Sequence, residues 1–470
     1  MSAWINVLER GAKSDGVTLT TAPVQAAVDE AGRNGGTVYV PPGRYLVGTI
    51  ELRSGVTLQI DPAATLFGSP RLDDYQPRTA NIHEGEGRFM VYADRAEDVV
   101  ICGGGTLDGN GQAFWQAPTG GFPWWRADTK RVTPMLEFRN CRRLRIENVR
   151  IANSPGWTVH PFCCDHLTLR GVTVENHLLG PNTDGFDLDG CRDVFVSDCK
   201  LICGDDAIII KSTPKARSTE RVVITNCICH SNCIGIGIGQ ETQCHVRKVA
   251  ISNCVVHNSH RMFTIGIWDG GVVEDIAVSN LIGDTIAHFT FGRPLQFEVK
   301  QLRSIPKTRP LGMIRNVTVS GLTARTQGRI LATAQDGSWI ENLTLRDIRL
   351  DYVHLEDPHA ICQMDPTKGS NQFANENLEA RRQNAALIME NCRGCEVDGL
   401  RLHWPAPNAP STAKDGPGRA AGSPDPAYAA LWANRVHDSR VVAPFARASR
   451  PGHPAAIVSN CPGSVFHVGE

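Results

Sequence analysis

LRIENVRIANSPGWTVHPFCCDHLTLRGVTVENHLLGPNTDGFDLDGCRDVFVSDC, running from Leu144 to Cys199, contains one short pattern three times. The pattern is an apolar-x-apolar triplet, two small or polar residues, and then an apolar residue or Cys: LRIENV from Leu144, LTLRGV from Leu167 and VFVSDC from Val194. It recurs as VVITNC from Val222, VAISNC from Val249, IAVSNL from Ile276, VTVSGL from Val317, LTLRDI from Leu343 and CEVDGL from Cys395. The first six copies start 23, 27, 28, 27 and 27 residues apart, and gaps of 41, 26 and 52 follow, the last being two periods of 26. Self-similarity at such a period marks a solenoid. A repeat this short, with several strands of three to five residues and no helix, suits a parallel β-helix, whose coils stack about 4.8 Å apart and align their inward residues in ladders.

Outward from this stretch, the chain reads as all-β with one helix. TAPVQAAVDEAG from Thr21 to Gly32 has Pro23 in its first turn and apolar residues at Val24, Ala27, Val28 and Ala31. That i, i+3, i+4, i+7 stripe predicts an amphipathic helix, placed to cover the open first edge of the stack within an N-terminal cap of about 1–50. Residues 1–470 are expected to form a single β-helix domain of roughly ten coils, with inserted loops at about 281–314, 352–386 and 405–426. The last of these is rich in Pro, Gly and Ala and reads as a surface excursion.

Composition narrows the function. A net charge of −1 and pI of about 6.9, without basic stripe or acidic block, argue against nucleic acid or an anionic membrane as main partner. The longest apolar runs are strand-sized, too short to span a bilayer. MSAWINVLERGAKSDG lacks the basic start and apolar core of a signal peptide, so the expected location is cytoplasmic, or periplasmic or secreted if a leader has been removed. Of the 16 cysteines, Cys199, Cys227 and Cys254 fall at one register of the repeat, which predicts buried reduced thiols acting as small hydrophobes. Cys392 and Cys395 form a lone CxxC without a second pair at zinc spacing. No metal or cofactor is expected.

Chemistry concentrates in NTDGFDLDGCRDVFVSDCKLICGDDAIIIK, Asn182–Lys211. Asp184 and Asp205 stand 21 residues apart, about one coil, with Asp206 adjacent. Carboxylates brought together raise at least one pKa, which acid–base work on a glycosidic bond requires. Asp next to Gly is also ordinary turn chemistry; the repeat is what favours a site. Gly204 is expected to supply the bend that lets Asp205 and Asp206 face one way, and Asp187 and Asp189 follow as supporting residues.

NTDGFD (Asn182–Asp187) followed by GDDAIIIK (Gly204–Lys211) and a Gly-Ile-Gly segment resembles glycoside hydrolase family 28, the polygalacturonases and their bacterial relatives. The likeness extends to GAKSDG (Gly11–Gly16), GGTVYVPPGRYLVGTI (Gly35–Ile50), GVTLQIDPAATLFGS (Gly55–Ser69), GGGTLDGNGQAFW (Gly103–Trp115) and NSPGWTVHP (Asn153–Pro161). The resemblance implies a right-handed parallel β-helix, with Asp205 as general acid and Asp184 and Asp206 as the carboxylates that activate water for inversion. Two family motifs depart: Gly-His-Gly aligns with Cys233, Ile234 and Gly235, and the carboxylate-binding Arg-Ile-Lys aligns with Thr264, Ile265 and Gly266. Thr and Gly cannot replace a bidentate cation.

The expectation is therefore an inverting glycoside hydrolase on a pectin-derived or related oligosaccharide, exo-acting and unlike a standard polygalacturonase. A uronate lyase or epimerase on the same fold and a non-catalytic carbohydrate-binding β-helix are the alternatives. Substrate-binding candidates are Asn182, His160, Lys211, Gln240, Glu241, Arg261, Trp268, Asp269, Trp124, Trp125 and Arg293. The tryptophans lie in a Gly/Pro-rich loop, where indoles stack on sugars or anchor the loop. His160 is expected to line the cleft or to satisfy backbone at a turn.

Overall fold

The structure is a computed structural model that describes residues 3–79, 87–119, 124–128, 130–285, 292–301, 310–355, 378–405 and 426–469. It falls into two compact units, Met1–Cys233 and Ile234–Glu470. In the first, the repeat pattern becomes the parallel strands Arg142–Glu147, Asp165–Arg170, Arg192–Ser197 and Thr219–Thr225. Leu144, Leu167, Val194 and Val222 stand in register, as do Ile146, Leu169, Val196 and Ile224, and all eight are buried. Each contributes about 1.5–3 kcal/mol by leaving water. Residues between them point outward, as the two-residue period requires.

The repeat's small or polar fifth residue has a backbone cause. Asn148, Gly171, Asp198 and Asn226 in the first unit have φ of 51°, 62°, 58° and 55°. In the second unit Asn253, Asn280, Gly321, Asp347 and Gly399 have φ of 56°, 54°, 68°, 53° and 75°. Each coil turns a corner here in the left-handed region, which Gly tolerates freely and Asn and Asp better than other residues.

The helix Thr21–Gly32 forms as expected and buries Val24, Ala27, Val28 and Ala31 against the first strands. Gln25 receives the Glu51 N–H on Oε1 at 2.8 Å and donates Nε2 to the Glu51 carbonyl at 2.9 Å, so a side chain completes the exposed edge. Cys199, Cys227 and Cys254 are buried free thiols. Cys392 and Cys395 are free and buried too, with their Sγ atoms on carbonyl oxygens.

The second unit repeats the parallel winding through His245–Ser259, Val272–Thr285, Met313–Thr326 and Ile340–Tyr352. One correction falls here. The stretch 281–314 is not all inserted loop, because Arg293–Val299 is a strand paired with Arg261–Ile267 and Ile330–Ala334. Leu295, Phe297 and Val299 supply its inward apolar row, and the polar residues between them disguised it. Residues 286–291 and 302–309, with 356–377 and 406–425 of the other expected loops, lie outside the described residues. No helix among the described residues is long and apolar enough to cross a membrane.

Candidate active site

In the first unit, strands Phe186–Asp189 and Ile208–Ser212 pair in parallel, Asp187 opposite Ile209 and Asp189 opposite Lys211. Asp184 precedes the first strand, and Asp205 and Asp206 precede the second. Gly185 allows their approach: its N–H donates to the Asp206 carbonyl at 2.8 Å, and a Cβ there would lie 2.3 Å from the Ala207 oxygen. Gly204 is needed for a different reason than expected. It lies outside the positive-φ set, but a Cβ would lie 2.5 Å from Thr183 Oγ1, which accepts the Gly204 N–H at 3.1 Å.

Asp184 is 3% exposed, and its Oδ1 has no hydrogen-bond partner among the described residues. Burial, and then the charges of Asp187 and Asp205, push its pKa well above the usual carboxylate range against the pull of Lys211. Asp205 is half-buried and Asp206 buried, and Asp205 Oδ1 accepts the Asp206 N–H at 3.0 Å. One carboxylate oxygen from each and Cys233 Sγ lie within 4.8 Å of one another. Among the described residues this is the one group of three or more such side chains placed to share a cation. A thiol is a soft ligand, ill-suited to Ca²⁺.

Lys211 Nζ stands 3.5 Å from Asp187 Oδ1 and 4.0 Å from the Trp157 ring centre, at 3% exposure. It therefore balances the acidic cluster from within. Asn182 takes a left-handed φ of 49°, and its Oδ1 accepts Arg131 Nη2 at 3.3 Å.

His160 does not line a cleft. It is fully buried, with Nδ1 2.6 Å from Glu137 Oε2 and Nε2 3.4 Å from Asp189 Oδ2. Burial alone would lower its pKa, but Glu137 and Asp189 outweigh that and raise it to about 10. Glu137 also accepts Arg139 Nε at 2.6 Å, and Asp189 accepts Thr213 N–H and Oγ1 at 2.9 and 2.6 Å. The result is a buried row of alternating charge.

The tryptophan loop divides its roles. Trp115 is the anchor, buried, with Nε1 donating to the Pro155 carbonyl at 2.8 Å. Trp124 and Trp125 are half-buried, and Trp125 meets His177 edge-on at 6.4 Å. Sequence reasoning missed Glu137, Trp157, Arg131 and His177; the aromatics in NSPGWTVHP were the available signal for Trp157.

The remaining candidates lie in the second unit. Gln240 and Glu241 are half-buried, and Asp269 is buried. Arg261 and Arg293 are register partners. Arg293 is fully enclosed and donates Nη1 to the Gly292 carbonyl at 2.7 Å. Trp268 is also engaged internally: Nε1 donates to Glu298 Oε2 at 3.2 Å, and Lys300 Nζ covers its ring at 3.9 Å. Glu298 binds Lys300 and Arg381 at 3.2 and 2.6 Å, and its carboxyl stays low, at about 2, because these cations outweigh burial.

Comparison with known proteins bears on the family and the fold. A probable polygalacturonase of Vitis vinifera is 30% identical over 304 residues, 60% of this chain, and the chain spans 61% of that relative's length. An exopolygalacturonase from Thermotoga maritima superposes with a TM-score of 0.64 at 24% identity, over 75% of this chain and 88% of its own. A family 28 exopolygalacturonase of Yersinia enterocolitica gives 0.68 at 14% identity, over 99% and 78%. These likenesses give the fold as the right-handed parallel β-helix, the hand that parallel crossovers favour. The sequence pattern described as glycosyl hydrolases family 28 matches residues 33–371, and the chain belongs to that family.

Proposed function

We propose that this chain is an inverting glycoside hydrolase that acts from the end of a short pectin-derived or related oligosaccharide and prefers a neutral or deoxy sugar beside the scissile bond. The observation that carries the reading is the enclosed carboxylate cluster around Asp184, whose pKa is raised by burial and by Asp187 and Asp205. Carboxylates this close do not all ionise, so they hold a shared proton. Asp205, half-buried, is the member with reach towards a glycosidic oxygen. A sugar over it excludes water, raises its pKa and draws the proton there.

Asp184 and Asp206 then act as the base. Oxygens of Asp205 and Asp206 lie within 4.8 Å, closer than the about 6.5–9.5 Å usual for an inverting pair. In this reading Asp184 is the partner that leaves room for water. The preference for a neutral sugar follows from Thr264 and Gly266 standing where the family motif carries Arg and Lys.

The test is a panel of pectic, rhamnose-containing and neutral oligosaccharides, run with wild type and Asp205→Asn. New reducing ends that disappear in the variant support hydrolysis. Unsaturated products would mean elimination, and binding without turnover a non-catalytic module. Early-time proton NMR of the released sugar reads the anomeric outcome, and retention would refute inversion.

A further inference from the structure

The second unit has an outward face that its own residues leave incomplete. On strand Arg261–Ile267, Phe263, Ile265 and Ile267 point inward and are fully buried, so Thr264 and Gly266 point the other way. On strand Arg293–Val299 the same alternation puts Gln296 and Glu298 on the outer face. Thr264 is in register with Gln296, and Gly266 with Glu298. A Cβ built at Gly266 would meet nothing closer than 3.7 Å, its nearest neighbours being Gln240 Cγ and Trp268 Nε1. A side chain at that position would stand in ordinary van der Waals contact with them.

Two polar atoms on this face are buried and unmatched. Thr264 is 2% exposed and Gln296 4%, and neither Thr264 Oγ1 nor Gln296 Oε1 has a hydrogen-bond partner among the described residues. Gln296 Nε2 faces Glu298 Oε2 at 3.4 Å. That contact fixes the amide orientation, because a carboxylate takes the NH₂ side and leaves Oε1 as the free acceptor. Buried polar groups without partners are costly and uncommon, so a pair of them on adjacent strands points to a ligand that completes them. An amide oxygen only accepts. It can take a hydroxyl group and would repel a carboxylate.

Two nearby cations are already matched. Glu298 holds Lys300 and Arg381, and Arg381 is fixed from behind by Arg329, whose Nη1 donates to the Arg381 and Gln383 carbonyls at 2.7 and 2.8 Å.

We propose that Thr264 and Gln296 form a hydroxyl-recognising subsite for a neutral sugar residue. The proposal rests on the glycosidase reading and specifies its substrate: the position aligned with the family's uronate-binding cation has become a hydroxyl acceptor. Gln296 Oε1 accepts one ring hydroxyl, and Thr264 Oγ1 accepts or donates to another.

The test is equilibrium binding to the full chain carrying Asp205→Asn, so that turnover does not interfere. D-galactose, L-rhamnose, D-xylose and D-galacturonate serve as probes, followed by saturation-transfer NMR and Trp fluorescence. Neutral sugars are expected to bind more tightly than galacturonate. Gln296→Met, which keeps the shape but removes the acceptor, should weaken neutral-sugar binding about tenfold, and Thr264→Val several-fold. Thr264→Val removes an unmatched buried oxygen, and Gln296→Met removes one together with the long 3.4 Å contact to Glu298, so Tm should change little, whereas a merely structural Gln296 would lower it. Tighter binding of galacturonate, unchanged neutral-sugar affinity in Gln296→Met, or no sugar binding at all would overturn the subsite. Failure of the hydrolase reading looks different: sugars bind as described, but wild type releases no product.

Discussion

Glu137 Oε2 lies 2.6 Å from Nδ1 of His160, and both side chains are closed to solvent. This contact stands in a buried row in which Arg139, Glu137, His160 and Asp189 alternate in charge. A buried ion pair contributes little net stability against apolar residues of equal volume, but breaking one side of it is expensive. The row therefore works mainly as a positioning device. Asp189 sits two residues past Asp187, which holds Lys211, so fixing His160 fixes the strand that carries the partner of Lys211.

His160→Gln should therefore cost about 3–5 kcal/mol, because Glu137 and Asp189 lose their shared cation. The pH dependence has a definite sign. The folded pKa of about 10 exceeds the ordinary value of 6.5, so the stabilisation is complete below about 6.5 and drains away as pH rises towards 10. Urea titrations at pH 6, 8 and 10 should show stability falling in wild type and a flatter profile in the variant. Equal slopes would remove the charge from His160.

Asp184→Asn and Asp205→Asn should separate stability from activity. Both should lower kcat by orders of magnitude. The raised pKa of Asp184 means that ionising it opposes folding, so the amide should stabilise the protein, increasingly as pH rises above the carboxylate range. Half-buried Asp205 should give little change in Tm. An inactive, more stable Asp184→Asn is the expected result; a destabilised one would mean that its carboxylate has a partner essential to the fold.

Corner residues offer a test of the fold itself. Asn253 has φ of 56°, and its Oδ1 accepts Asn280 Nδ2 at 3.1 Å. Asn253→Gly should be nearly neutral, since lost side-chain bonding is offset by relief of left-handed strain. Asn253→Ala should cost about 1–2 kcal/mol, and Asn253→Val more, because β-branching fits this region worst. Thermal melts of the three variants give the order directly.

These corners also explain what could be read in advance. The template's fifth residue is Asn, Asp or Gly in every copy because φ there is positive, so a backbone requirement wrote itself into the sequence. The helix at Thr21–Gly32 was legible for the same kind of reason, its four apolar residues being the four it buries. Arg293–Val299 was not, because its outward Gln296 and Glu298 look like loop residues until a neighbouring strand explains them. The burial of His160 could not be read either. Glu137 and Asp189 come from neighbouring coils, and a local window does not show which distant residues a register brings together.

Substrate choice gives the last prediction. A carboxylate recognised by Arg or Lys gains charge-assisted hydrogen bonds of about 1.5–3 kcal/mol each, and Thr264 and Gly266 carry no cation to make them. Losing two such bonds costs roughly two to four orders of magnitude in kcat/KM. Lys300 and Arg381 do not substitute freely, because Glu298 already holds both. Homopolygalacturonan should therefore be turned over at least a hundredfold more slowly than short oligosaccharides with a neutral or deoxy residue beside the scissile bond, with single sugars released from one end. Size-resolved product analysis on both substrates decides it: rapid mid-chain cleavage of homopolygalacturonan would mean that a cation outside the Thr264–Gly266 position holds the uronate.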